Sequence, residues 1–340
     1  MKPDISIVIP LYNKERYIRR TMDSVLCQTH MNFECIIVDS SIDGSTEIVK
    51  KYDDPRMVYL SFEKSTAAHA RNHGARIAQS DLLAFLDADD EWQPDHLETL
   101  IHLRKRFPEA GLYSTPYVKI RRDGCPMVML FYDIPRPPWE GHIPDYLLTC
   151  SRGDEPVHSS SCAVPRHIFE SMDGFPENLV YGEDQFLWGK ISLAYPVAFS
   201  WNGLTIYHTE ALGRICDEVH VTREHPFSAY LRQELAGGRI RPEKIRECRA
   251  YIRRKRFSES FSRLLSGGET ASIVDASTMA ESTSVGAVGV EKKSTGPMKI
   301  AGRALNRFYH SSVHDTLRRC LCFMYGCYNP GKDIHVRVRK

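Results

Sequence analysis

The chain has 340 residues, enough for one large α/β domain and an appendage. Hydrophobic residues make up 42% and charged residues 26%, the balance of a soluble enzyme, and a formal net charge of +2 gives no reason to expect a nucleic-acid partner. No run approaches the roughly 18 apolar residues of a membrane span. The amino terminus passes straight into Ile5-Ser6-Ile7-Val8-Ile9, too short and strand-like for a signal peptide, so a cytoplasmic protein is expected. The ten cysteines are scattered singly, as small buried hydrophobes in a reducing compartment rather than as a disulfide framework.

Residues 5–9 read as a first strand, closed by Pro10-Leu11-Tyr12-Asn13, with Asn13 as the N-cap of a helix whose apolar stripe is Tyr17, Ile18, Met22, Val25 and Leu26. A second strand, 33–38, stops at Asp39 before the turn-rich Ser40-Ser41-Ile42-Asp43-Gly44-Ser45. A third strand, 58–60, precedes a helix carrying Ala67, Ala70, Gly74 and Ala78 on one side, small enough to lie close to a sheet. The fourth, 82–86, is an unbroken apolar run, read as a parallel strand buried on both faces. Alternation of this kind implies right-handed crossovers, which put the loops after Ile9, Val38 and Leu86 on one edge of the sheet.

Farther on, Pro94 and Asp95 open a helix, and strands are expected at 112–114 and 127–131 around the hairpin signal Arg122-Asp123-Gly124. Another strand is expected near 160–164. Gly182 stands before Glu183 and Asp184, which fall in the first turn of a helix running through Leu187, Trp188 and Ile191. Residues 239–256 hold nine Lys or Arg against two Glu, yet Ile245, Cys248 and Ile252 keep a helical stripe after Pro242. The stretch 266–297 has the composition of a flexible linker, and 298–340 opens with an amphipathic helix. The boundaries expected are a catalytic domain over 1–215, a basic helical extension over 216–265, the linker and the C-terminal helix with its tail.

Asp87 and Asp89 lie two residues apart in extended chain, so both carboxylates can turn toward one divalent cation in the crevice at the strand ends. The alternative is that Asp89 or Asp90 caps the helix starting near Pro94. The tail cysteines Cys320, Cys322 and Cys327 lack the paired spacing of a zinc site.

The motifs decide more together than singly. Ser6-Ile7-Val8-Ile9-Pro10-Leu11-Tyr12-Asn13, Val38-Asp39-Ser40-Ser41-Ile42-Asp43-Gly44-Ser45, Ala70-Arg71-Asn72-His73-Gly74, Phe85-Leu86-Asp87-Ala88-Asp89-Asp90 and Gly182-Glu183-Asp184 follow one another in an order and spacing that resembles family 2 glycosyltransferases, over roughly residues 4–210. The resemblance implies a GT-A-like fold, a mostly parallel twisted sheet flanked by helices, here with a helical C-terminal extension. It implies a non-processive inverting enzyme that moves one sugar from a nucleoside-diphosphate sugar to a hydroxyl of a glycan or lipid-linked acceptor.

By the same resemblance Asp89 and Asp87 hold Mg²⁺ or Mn²⁺ against the diphosphate, Asp87 also reaching the ribose. Asp184 is the base and Glu183 orients it, and His208 closes over the diphosphate or metal. Pro10, Tyr12 and Asn13 line the nucleoside pocket, Asp39 contacts the base, and Arg71 reaches the diphosphate or sugar. Each has a plainer alternative: Asp39 as a turn-forming residue, Tyr12 as core, His208 as a structural histidine, Arg71 as an exposed helix residue paired with Asp81 or Glu63. The chain departs from the family pattern after Asp39, where a second acid is usual and Ser40 stands. It also lacks the Gln-x-x-Arg-Trp motif of processive synthases. A sugar nucleotidyltransferase and a non-catalytic nucleotide-binding protein are the rivals. The first usually opens on a glycine-rich basic loop, which Pro10-Leu11-Tyr12-Asn13 is not. The basic helices either pack on the catalytic domain or touch the inner face of the cell membrane.

Overall fold

In the computed structural model, which describes residues 2–63, 66–211 and 224–265, the first half of the chain alternates strand and helix as its apolar pattern demands. Strands β1 (Ile5–Leu11), β2 (Phe33–Asp39), β3 (Met57–Ser61) and β4 (Leu82–Phe85) are linked by helices α1 (Ile18–Leu26), α2 (Ser45–Val49) and α3 (Ala67–Ile77). All four strands pair in parallel, in the order β3-β2-β1-β4. Their two-residue period sends Val8, Ile36, Val38, Leu83 and Phe85 to one face and Ile7, Ile9, Cys35, Ile37 and Ala84 to the other. Both faces are covered, which is why these strands read as continuous apolar runs.

The sheet continues through strands that the pattern reveals less clearly. After β5 (Glu91–Trp92) and α4 (His96–Arg106) come β6 (Leu112–Ser114), β7 (Tyr117–Ile120), β8 (Pro126–Val128) and β9 (Glu140–His142). Helix α5 (Tyr146–Arg152) and a 3-10 turn (Ser159–Ser161) lead into β10 (Cys162–Pro165) and α6 (Arg166–Ser171). Helix α7 (Glu183–Ala194), β11 (Val197–Ser200) and β12 (Thr205–His208) follow. The large sheet has eight strands, β3-β2-β1-β4-β10-β6-β11-β9, and a smaller one has the order β5-β12-β7-β8.

Strand β10 runs antiparallel to β4 and to β6. The fourth strand, expected to be parallel, is therefore parallel only on its β1 side. Full burial on both faces follows from helical cover and does not specify the direction of each neighbour. The reversal has a local effect: β10 presents its N-terminal end where the parallel strands present their C-terminal ends, so the turn before it reaches the crevice.

Gly74 shows how closely α3 lies on the sheet. A Cβ there would overlap Val8 Cγ1 and come within 3.3 Å of Val38 Cγ2. The carboxyl-terminal elements are α8 (Pro226–Ala236), a 3-10 turn (Pro242–Lys244) and α9 (Ile245–Leu265). Cys248, Tyr251 and Ile252 of α9 are buried, joining the core of Phe85, Trp188 and Phe227. The expected stripe is thus an apolar seam on the rest of the domain. The linker over 266–297, the helix over 298–340 and the three tail cysteines lie outside the described residues. Among the described residues no helix is long and apolar enough to cross a membrane.

Gly74→Ala should cost about 1–3 kcal/mol in urea denaturation despite a gain of about 1 kcal/mol in helix propensity, because the added methyl must displace two strand valines. A more stable variant would contradict the close approach of α3.

Candidate active site

The loops after β1 and β2 are stitched together by short polar side chains. Asn13 takes a left-handed φ of 53°; its N–H donates to Ser41 Oγ (3.1 Å) and its Oδ1 accepts from Ile42 N–H (2.9 Å). The neighbouring Lys14 N–H donates to Ser45 Oγ (2.9 Å). Asn13 therefore does not cap a helix, as expected from sequence; α1 starts at Ile18, after Tyr17. An asparagine side chain that serves the next loop's amide is not available to its own helix. Tyr12 is about one-third exposed, and Pro10 is partly buried at the end of β1.

Asp39 is buried at the end of β2. Its Oδ1 accepts from Ser41 N–H (2.8 Å), and its Oδ2 from Thr46 Oγ1 (2.6 Å) and Tyr59 Oη (2.8 Å). The turn-forming role expected as the alternative is realised in these contacts.

Beyond β4 the chain delivers four acids in five residues. Asp87 Oδ1 meets Arg71 Nη2 at 2.6 Å, Asp89 Oδ2 meets Lys14 Nζ at 2.8 Å, and Asp90 is fully buried. Asp90 Oδ2 accepts from Ser160 Oγ (2.6 Å) and its Oδ1 from His208 N–H (3.0 Å). The capping alternative is not realised: α4 begins after Asp95, whose side chain makes no cap bond. Donor atoms of Asp87, Asp90 and His158 lie within 4.8 Å of one another, a set of oxygen and imidazole ligands that suits a divalent cation. Asp89, next to Asp90 and two residues from Asp87, is held by Lys14 and is not in that trio. Glu91 faces His208: its Oε1 lies 2.6 Å from Nε2, while Glu210 Oε1 lies 2.7 Å from Nδ1. With a carboxylate on each ring nitrogen, His208 has none directed at the aspartates. It clasps the small sheet instead.

Arg71 is the centre of the arrangement. It lies on α3, with its side chain only 6% exposed, and spans Asp87 and Glu183, whose Oε1 is 3.1 Å from Nη1; its guanidinium carbon sits 5.2 Å from the centroid of Phe175. The expected alternative of an exposed arginine paired with Asp81 or Glu63 is thereby corrected; Asp81 pairs with Lys2. A single helical position looked exposed because the incoming loop 172–183, which covers it, is remote in sequence. Gly182, at φ 72°, supplies the left-handed turn that starts α7 and sets Glu183 and Asp184 in its first turn, as expected. Asp184 Oδ2 accepts from Ser159 Oγ at 3.2 Å, and Oδ1 from Gln185 N–H at 2.7 Å.

Burial raises the Glu183 carboxyl above its ordinary value, the Asp184 charge adds to this, and Arg71 opposes it. Burial pushes Asp87 the same way, but there Arg71, His158 and Lys14 prevail and hold it below the usual range. Asp90, with burial and the charges of Asp89 and Asp87 acting together, is pushed well above it. Burial also keeps His158 below the usual imidazole value. The site thus brings carboxyls with opposed tendencies together around one guanidinium.

Sequence reading missed the turn 158–161. Its Ser160 accepts from Asp87 N–H and donates to Asp90, its Ser159 donates to Asp184, and its His158 packs against Tyr207, the ring centroids 4.2 Å apart. The run His158-Ser159-Ser160-Ser161 was the one available signal, and it was absorbed into an expected strand.

Residues 6–154 match the model of glycosyl transferase family 2. Over 131 residues the chain is 41% identical to TuaG, a teichuronic acid biosynthesis glycosyltransferase of Bacillus subtilis, covering 37% of this chain and 51% of that protein. The chain thus spans about half the length of that relative. The TarS 1–349 structure from S. aureus, in complex with UDP-GlcNAc, superposes with a TM-score of 0.58 at 19% identity, over 77% of this chain and 74% of the other. The mannosyltransferase PcManGT from Pyrobaculum calidifontis, in complex with GDP-Man and Mn²⁺, gives 0.53 at 17% identity, over 97% and 82%. These superpositions establish the GT-A fold.

Arg71→Met should destabilise the chain by about 3–5 kcal/mol at pH 8, because Asp87 and Glu183 lose their buried counter-ion. Without the guanidinium both carboxyls rise above their unfolded values near 4. A raised carboxyl costs stability above its unfolded pKa, and that cost fades as pH falls through the folded value. The deficit against wild type, read by urea denaturation, should therefore shrink between about pH 8 and pH 5; an equal deficit at both would refute the pairing.

Proposed function

We propose that this chain, which carries a family 2 glycosyltransferase domain in residues 6–154, transfers a single sugar, with inversion, from a nucleoside-diphosphate sugar to a hydroxyl of a glycan or lipid-linked acceptor. The observation that carries the reading is the meeting of Asp87 and Glu183 on the one buried guanidinium of Arg71, with Asp184 adjacent. Donor-side and acceptor-side acids are thereby held in one crevice. The similarity to TuaG supports glycan synthesis as the setting, and the UDP-GlcNAc complex of TarS supports a nucleotide sugar as the donor.

Asp184 takes the proton of the acceptor hydroxyl as its oxygen forms a bond to the anomeric carbon, and the bond from that carbon to the diphosphate breaks on the opposite face. Glu183, tied to Arg71, fixes the turn that aims Asp184, and Ser159 holds its Oδ2. Arg71 is placed to meet the diphosphate or sugar with a charge that burial cannot remove. Pro10, Tyr12, Asn13 and Asp39 border the nucleoside side, Asp39 offering the base a share of a carboxylate already bonded within its turn. Asp89 and Asp87 are the residues that would hold Mg²⁺ or Mn²⁺, whose charge would offset that of the leaving diphosphate, and Asp90 and His158 place donor atoms close to those of Asp87. We place the reaction in the cytoplasm, in a catalytic domain over 1–215.

Asp184→Asn should keep nucleotide-sugar affinity within about 3-fold by calorimetry while transfer falls at least about 100-fold, the lower end of what a positioned base contributes. Full activity in that variant would end the mechanism. Asp89→Ala should abolish the Mn²⁺ dependence of nucleotide binding; equal affinity with and without the ion in wild type would remove the metal from the proposal.

A further inference from the structure

Helix α9 has two unlike faces. Glu247, Cys248, Tyr251 and Ile252 are buried, and Lys255 reaches inward to Glu155 Oε1 (2.7 Å) and Gln185 Oε1 (2.8 Å), the residue after Asp184. On the far side Arg246, Arg249, Arg253, Arg256 and Phe257 are all exposed. At about 100° per residue these five side chains fall within an arc of about 100°. None of the four arginines has an ion-pair partner among the described residues, whereas Arg232, Arg239 and Arg241 just before the helix are each paired with a glutamate.

We propose that this arginine face, with Phe257, is a docking surface for an anionic lipid bilayer. Four unneutralised guanidinium groups on one rigid helix call for an anionic partner. The chain itself supplies a poor one: residues 266–340 carry eleven Lys or Arg against six Asp or Glu, so the rest of the sequence adds positive charge. Phe257, 56% exposed among the arginines, distinguishes a bilayer from a purely ionic polyanion. An aromatic ring beside long cationic side chains matches an interface with headgroup charge outside and hydrocarbon beneath. Because Lys255 ties the opposite face of the same helix to Gln185, a bilayer bound here is mechanically continuous with the turn bearing Asp184. The surface is separate from the transfer chemistry and stands whether or not the proposed activity does.

The test is flotation of the full chain with equimolar phosphatidylglycerol–phosphatidylcholine vesicles and with phosphatidylcholine alone, at low and high salt. Wild type should bind the anionic vesicles and lose binding as salt rises. Arg249→Glu/Arg253→Glu/Arg256→Glu should weaken partitioning by about 100-fold or more, since each basic residue near an anionic surface contributes severalfold. The equally charged variant Arg121→Glu/Arg232→Glu/Arg239→Glu, altered elsewhere, should bind within about 5-fold of wild type. Phe257→Ser should weaken what binding remains at high salt. Both triple variants change exposed residues, and matching melting curves confirm that folding is not the cause. Failure of wild type to bind anionic vesicles would overturn the proposal, as would undiminished binding by the Arg249/Arg253/Arg256 variant. Equal binding by Phe257→Ser together with tighter association to duplex DNA would also overturn it, by showing a polyanion site.

Discussion

The buried guanidinium of Arg71 is the constraint on which the rest of the site depends. A cation almost removed from water is tolerated only with carboxylates at hydrogen-bond distance, and Asp87 and Glu183 supply them. Since Asp87 lies just after β4 and Glu183 begins a helix, one interaction fixes the spacing of two otherwise independent elements. Electrostatics and geometry cannot be separated here: Arg71 holds Asp87 down in pKa and restrains the rise of Glu183.

The turn 158–161 is the second organiser, and its position comes from topology. An antiparallel strand inserted among parallel ones exposes its opposite end, so a turn that would sit at the back of an all-parallel sheet instead faces the acids. Three consecutive hydroxyls there satisfy groups that burial would otherwise leave unpaired, among them the Asp87 amide and the Asp90 carboxyl.

Much of this was legible in the chain. Period and punctuation gave β1 to β4 to within two residues and located α3 and the start of α7, and the acids at 87–90 and 183–184 stood out because they follow a strand or open a helix. What was not legible depends on contacts distant in sequence. Arg71 looks like any polar position on an alanine-rich helix until the loop ahead of α7 covers it. His208 carries Glu91 and Glu210 on its two nitrogens, partners that its own stretch of sequence does not reveal. Asn13 looks like a cap until the neighbouring loop takes its side chain. In each case local propensity named the residue type correctly, and a tertiary partner decided its use.

The two partners of Arg71 also differ in when they become available. Asp87 is 16 residues away and Glu183 is 112. Loop-closure entropy rises with separation, and non-local contacts are the slow ones, so the nearer ion pair can form within the N-terminal sheet while the farther one awaits the docking of α7. During synthesis the segment that bears Asp87 leaves the ribosome well before the one that bears Glu183. The Asp87 contact can therefore form within the N-terminal sheet, and the Glu183 contact closes only when α7 docks.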